Sequence, residues 1–422
     1  MAVFALSILA LSGMVAVQAG KISIEESTAY RDALAANNDL QIERGEYLAR
    51  AGNCFSCHTT GSGGFMAGGV SFETPFGTIY STNITPDPDT GIGNWTALQF
   101  LNSMRYGVRA DGQHLYPAFP YTAFTKVSDE DLAALYAYLK SIPAIRQENI
   151  ENDIAFPFSV RTLMAVWKTM FFDEGTFVPD ESKSAEWNRG AYLVDALAHC
   201  GACHTPRNIL GAEKTDMAMA GGEYTDKVPS GNLRPWSAPN LTSARNGLGL
   251  WQIEEVASYL KTGINAHVAT FGPMNEVIIN STRHLDDADV TAMAVYLKSL
   301  PPIESDSRET APDNVLGMGR TLYNLHCGTC HLPTGLGDIE SAPQLAAGSL
   351  VVQAENPASL INVILDGPEM PDPPLATRWR NPMEDFRYLL DDEEIAALAS
   401  YLRYEWGNTG GQVTPEQVAR QR

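Results

Sequence analysis

The sequence predicts an all-α protein built from three tandem modules, and three repeated features carry that prediction. A pentad Cys-x-x-Cys-His stands at Cys54–His58, Cys200–His204 and Cys327–His331. A stretch of helical spacing precedes each one, at Ile42–Gly52, Asn188–Leu193 and Gly319–Tyr323. Each module then closes on an acidic start followed by apolar residues three and four apart, at Ser128–Leu139, Leu285–Leu297 and Asp391–Leu402. Asp or Ser at a helix start caps free amides, acidic groups there suit the helix dipole, and the spacing supplies one buried face. Self-similarity on this scale marks repeated structural units, placed here at residues 40–146, 187–303 and 315–405.

The pentads carry the chemistry. Two thiols three residues apart can bond to the vinyl groups of a porphyrin, and the adjacent imidazole can ligate its iron. All six cysteines of the chain lie inside pentads, and every pentad ends in His. A zinc site would need a second Cys or His pair near each motif, and a redox pair or a disulfide would not require His at the fifth position every time. The pattern predicts three covalently bound haems c, on Cys54 and Cys57 with His58, on Cys200 and Cys203 with His204, and on Cys327 and Cys330 with His331.

Composition narrows the partners. At 422 residues the chain is long enough for two to four domains of about 100–200 residues. A formal charge of −21 argues against nucleic acid, whose recognition needs basic surfaces. There is no dinucleotide glycine fingerprint, no phosphate-binding loop and no nucleophile elbow. These features together predict electron transfer rather than substrate chemistry in this chain.

Residues 1–19 hold no charged side chain and run through an apolar core to Val17-Gln18-Ala19, which reads as a secretory signal. The run is also long enough to serve as an uncleaved anchor. Export agrees with haem attachment outside the cytoplasmic membrane and places the protein in the periplasm. No later segment is apolar and long enough to span a bilayer, so peripheral membrane association is expected.

Asn83-Ile84-Thr85, Gly91–Trp95 and Met66–Gly69 of the first module match Asn240-Leu241-Thr242, Gly247–Trp251 and Met219–Gly222 of the second. The glycine-rich turns allow a close approach to a flat ring. Trp95 and Trp251 either lie against the haem and serve a propionate or are ordinary core residues. Residues 147–186 do not fit the repeat and read as a linker or brace; their apolar run Leu163–Phe172 would be a docking patch if exposed. Leu350–Leu375 reads as a Pro-rich loop over the third haem, and 406–422 as a polar, mobile tail.

A haem that only passes electrons has both axial positions filled, and Met opposite His raises its potential. Gly272-Pro273-Met274 and Asn381-Pro382-Met383 stand just before the second and third closing helices, so Met274 and Met383 are the expected ligands, with Met370 a competitor for the third. The first module has Ala118-Phe119 at that place, and Phe cannot coordinate iron. Met66 is a poor substitute because Met219 repeats it beside Met274. Met104 and His114 remain; His114 is favoured, and an open or water-ligated iron is the alternative.

With the pentads, the stretch Thr74–Asp87, Gly272-Pro273-Met274 and Trp406-Gly407-Asn408, nearly the whole chain resembles the triheme cytochrome c subunits of bacterial membrane-associated dehydrogenases. That family serves alcohol, gluconate, fructose and sorbitol dehydrogenases and, in related forms, molybdenum enzymes that oxidise aldehydes or N-heterocycles. The resemblance implies three cytochrome c-like domains and a separate catalytic subunit of flavin, PQQ or molybdenum type. It also implies ubiquinone or a terminal oxidase as acceptor. In many members a Tyr-Pro-Ala-Met-Pro-Tyr stretch supplies the first Met, where this chain has Tyr116-Pro117-Ala118-Phe119-Pro120-Tyr121. Two rival readings stand beside this one: a haem enzyme acting on a small ligand such as peroxide at an open first iron, and a freestanding electron shuttle.

Overall fold

The computed structural model describes residues 28–36, 38–228, 231–304, 309–338, 341–346, 348–368 and 383–422. The expected signal at 1–19, Met370, Asn381 and Pro382 lie outside the described residues. The chain divides into two compact units, Met1–Ala49 with Cys57–Val178, and Arg50–Ser56 with Pro179–Arg422.

The chain's first elements are α1 (Thr28–Ala36), α2 (Asp39–Ala51) and the pentad turn α3 (Cys54–His58), of which Arg50–Ser56 falls in the second unit, and the first unit continues with α4 (Ala97–Tyr106), α5 (Tyr121–Phe124) and α6 (Asp129–Ser141). Ser128 caps α6 by accepting from the Asp131 amide at 3.2 Å. Here the helical expectation needs a correction, because a small antiparallel sheet is present. Strands β1 (Ser71–Thr74) and β2 (Gly77–Tyr80) form a hairpin, and β3 (Asp153–Ile154) pairs with β2. Its Thr, Ile, Phe and Tyr residues favour a pleated surface, and a run this short leaves no clear period in the sequence.

The stretch read as a linker belongs largely to this unit. Its amide side chains serve main-chain groups of the first module: Gln147 Nε2 donates to the Ala67 and Gly68 carbonyls at 3.0 and 3.1 Å. Asn149 Oδ1 accepts from Asn83 N at 2.7 Å, and Asn152 Oδ1 from Tyr80 N at 2.9 Å. Helix α7 (Leu163–Phe171) buries Met164, Ala165, Trp167 and Lys168.

The second unit begins with α8 (Ala185–Tyr192), which runs through a wide turn at Leu193–Leu197 into the pentad turn α9 (Gly201–His204). A hairpin of β4 (Gly222–Lys227) and β5 (Leu233–Ala238) follows, then α10 (Ile253–Thr262), α11 (Met274–Asn280) and α12 (Asp287–Ser299). Next come α13 (Asp313–His326), the pentad turn α14 (Gly328–His331), α15 (Leu350–Gln353), α16 (Ala358–Asp366), α17 (Asp392–Leu402) and α18 (Pro415–Ala419). Ser237 in β5 and Ser359 in α16 exchange hydrogen bonds, with Ser237 N to Ser359 Oγ at 2.9 Å.

One device joins the opening and closing helices of all three modules. An added Cβ on Gly45 would lie 2.1 Å from the Ala134 carbonyl oxygen; on Gly190, 1.9 Å from that of Ala292; on Gly319, 2.2 Å from that of Ala397. The Cβ of a tyrosine four residues further along, Tyr138, Tyr296 or Tyr401, would also lie within 3 Å in each case. Only a residue without Cβ lets the two backbones meet this closely.

Two readings of the third module are corrected. Residues expected as loop form α15 and α16, whose Leu360, Ile361, Ile364 and Leu365 enter the core. The tail expected to be mobile is folded: Val413 and Val418 are buried with them. Arg403 is itself buried and ties the tail down, donating to Val352 O at 3.0 Å, Ala354 O at 2.8 Å, Gly411 O at 3.1 Å and Gly410 O. The polar sequence after Trp406 hides these main-chain acceptors.

Candidate functional site

Each pentad is one helical turn. His204 N donates to Cys200 O at 3.0 Å and His331 N to Cys327 O at 2.9 Å, while Cys54–His58 is helical throughout. One turn brings residues i and i+3 to the same face with i+4 beside them. The two sulfurs and the imidazole of each pentad therefore belong to one surface. None of the six cysteines is in a disulfide.

The three histidines share one set of partners. Nδ1 lies 2.7 Å from Thr82 O in His58, 2.8 Å from Pro239 O in His204 and 2.8 Å from Pro343 O in His331. A carbonyl only accepts, so Nδ1 carries the proton and Nε2 keeps its lone pair. The carbonyl of each His in turn accepts from a left-handed glycine: Gly68 at 2.8 Å, Gly221 at 2.9 Å and Gly337 at 3.0 Å. Burial pushes all three imidazoles below the usual His range, against the opposing effect of the carbonyl contact, and so favours the neutral, ligating form.

Met66 and Met219 belong to this same histidine side. Their amides donate to Thr59 Oγ1 and Thr205 Oγ1, each at 3.1 Å, and both Thr directly follow a pentad. Both methionines are buried in the left-handed region, at φ 60 and 62.

The segments that would face the other side of the ring can be matched through their backbones. Gly107 and Gly263 end α4 and α10 in the left-handed conformation. Gly107 O accepts from Leu115 N at 2.8 Å, and Gly263 O from Thr270 N at 2.7 Å. Four residues beyond these amides stand Phe119 and Met274. Met104 takes the place of Leu260, three residues before the glycine, and is buried in the helix packing. Met383 packs, partly buried, against the core of the third module.

A profile of the cytochrome c family matches residues 42–143 and 318–406. The alcohol dehydrogenase (quinone) cytochrome c subunit of Gluconacetobacter polyoxogenes is 38% identical over 430 residues, covering 97% of this chain and 89% of that protein. The fructose dehydrogenase cytochrome subunit of Gluconobacter japonicus is 36% identical over 415 residues, covering 90% and 82%. The chain belongs to the cytochrome c subunits of membrane dehydrogenases. A nicotinate dehydrogenase subunit of Pseudomonas putida is 43% identical over 373 residues, or 86% of this chain, which spans only 30% of that protein's length.

Membership implies covalent haem c in this cytochrome subunit, and the residues present fit it. Among the described residues, the buried polar groups without a protein partner include two that lie beside the segments matched above. Trp236 Nε1–H, on a side chain 4% exposed, is one, and the hydroxyl of the fully buried Tyr121 is the other. Leaving such a group unpaired costs about 1–3 kcal/mol, and the propionates of a haem are suitable acceptors. Both groups flank the matched segments: Tyr121 follows Phe119 by two residues, and a Cβ on Gly272 would sit 2.8 Å from the Trp236 ring.

Of the two readings of Trp251, the structure supports the core one. Its Nε1–H donates to Gly348 O at 2.7 Å and its ring stacks on His267 at 5.0 Å, so it is a core residue with no donor left for a propionate. Trp236 carries no sequence signal that singles it out. His114 lies in the first unit with its Nδ1 3.0 Å from Lys168 Nζ in α7. Burial, and secondarily the Lys168 charge, push its imidazole down to about 4.

Proposed function

We propose that the chain carries three covalent haems c, one in each of three cytochrome c-like domains at residues 40–146, 187–303 and 315–405. It relays electrons from a catalytic dehydrogenase subunit to ubiquinone or a terminal oxidase. The observation that carries this reading is the threefold identity of the pentad environment. Each of three Cys-x-x-Cys turns presents a His held by a main-chain carbonyl, with Nε2 free, over a left-handed glycine.

The haem iron supplies one-electron chemistry when bound, and the protein sets its ligation and burial. In this reading Cys54, Cys57, Cys200, Cys203, Cys327 and Cys330 form the thioether links, and His58, His204 and His331 ligate iron through Nε2. Met274 and Met383 supply the opposite ligands of the second and third haems. The catalytic partner is of flavin, PQQ or molybdenum type and acts on an alcohol, sugar acid, aldehyde or related small molecule. The complex works at the periplasmic face of the cytoplasmic membrane, with this cytochrome associated peripherally. Among the described residues no helix is long and apolar enough to cross a membrane.

The test is isolation of the native protein from membranes under mild detergent, with intact mass and haem-to-protein ratio measured on the haem-staining chain. Three haems per chain and a stoichiometric catalytic subunit are expected. Fewer haems, or a chain that purifies alone from intact membranes, would overturn the reading.

A further inference from the structure

We infer that the iron held by His58 has no protein ligand on its second face and binds a small neutral diatomic molecule there. The inference rests on the three-haem reading and concerns the one site where the repeat breaks. The chain provides its own template: from the Gly263 carbonyl and the Thr270 amide it is four residues to Met274, a thioether. From the Gly107 carbonyl and the Leu115 amide it is four residues to Phe119, whose ring has no lone pair for iron and packs 5.3 Å from Phe124.

The alternatives in the first module are already engaged. Met66 is buried, with its main-chain amide tied to Thr59 directly after the pentad just as Met219, which coexists with Met274, is tied to Thr205, and Met104 fills the position of Leu260 in the helix packing. Lys168 Nζ donates to the carbonyls of Tyr106 and Gly107 and lies 3.0 Å from His114 Nδ1, which holds that imidazole against α7. His114 Nδ1 is thereby engaged with Lys168 rather than open to a metal. A ferrous iron left five-coordinate in an apolar setting binds carbon monoxide by a dative bond, with no electron or proton exchanged.

The experiment is titration of the dithionite-reduced full-length protein with carbon monoxide, together with the spin state of the oxidised protein. One carbon monoxide per three haems is expected, with one high-spin haem in three. Phe119→Met should remove that binding and convert the high-spin third to low spin, whereas His114→Ala should leave the stoichiometry at one. A wild-type protein with three low-spin haems and no carbon monoxide binding would overturn the inference without any variant. If His114→Ala then created binding, His114 would be the ligand. Peptide mapping of the haem-bearing Cys54–His58 fragment separates the two levels: no haem there sinks the three-haem reading, and this inference with it. Haem present but six-coordinate sinks the inference alone.

Discussion

Replacing Gly319 by alanine would put a methyl carbon 2.2 Å from the Ala397 carbonyl oxygen and 2.6 Å from the Tyr401 Cβ. Both obstacles are fixed parts of α17, so no side-chain rotation relieves the clash. An ordinary contact needs about 3.4 Å or more, and α13 must move away from α17 by roughly 1 Å. A gap of that size forfeits about a quarter to a half of the dispersion energy of the atom pairs across it. Overpacking of this kind costs about 1–3 kcal/mol, and the backbone obstacle puts Gly319→Ala near the upper end. Gly317, two residues earlier on the same helix, is exposed, and nothing lies within 4 Å of an added Cβ. Gly317→Ala should therefore stabilise by about 0.5–1 kcal/mol through helix propensity and the unfolded chain. The two variants should differ by about 3 kcal/mol in guanidinium unfolding followed by circular dichroism. A difference under about 0.5 kcal/mol would refute the close-crossing argument, for this module and by extension for Gly45 and Gly190.

Arg403→Met would leave the carbonyls of Val352, Ala354, Glu355, Gly410 and Gly411 without this buried donor; a loss of about 3–5 kcal/mol is expected, with residues 407–422 newly open to limited proteolysis. Asn240 Nδ2 donates to Ile303 O at 2.9 Å and its Oδ1 accepts from the amide and hydroxyl of Thr242, so Asn240→Ala should cost about 2–3 kcal/mol by thermal unfolding. His114 is held near 4 in the folded state and titrates near 6.5 when unfolded. Its contribution is full above about 6.5 and is lost as pH falls toward 4, because only the unfolded chain takes up the proton in that window. With solvent screening at this half-buried site, the loss is on the order of 1 kcal/mol. His114→Gln should flatten the acid limb of the stability profile, and an unchanged slope would show that His114 does not contribute.

What the sequence determined by itself is what is encoded locally. The pentads, their spacing and the capped closing helices are each specified within a dozen residues. In Asp391–Leu402, Asp391 Oδ1 accepts from Glu394 N at 2.9 Å while Glu394 returns to Asp391 N at 3.0 Å, as an acidic start followed by an apolar stripe requires. Repetition made the module plan legible as well, since the same residue types recur at matched places in all three.

Tertiary structure alone decided the contacts that join distant segments. The histidine-holding carbonyls of Thr82, Pro239 and Pro343 carry no side-chain signature, because a backbone oxygen is the same on every residue. The polar tail read as mobile because its anchors, Arg403 and two buried valines, are few and lie among glycines. Trp251 finds the Gly348 carbonyl while the buried Trp236 N–H has no protein acceptor, because an indole N–H serves whichever acceptor packing brings to it. His114 could be named as a candidate from residue type, but only the fold set it against Lys168, 54 residues further along the chain. That one contact ties Nδ1 of the imidazole to the lysine of another element, which no residue type reveals.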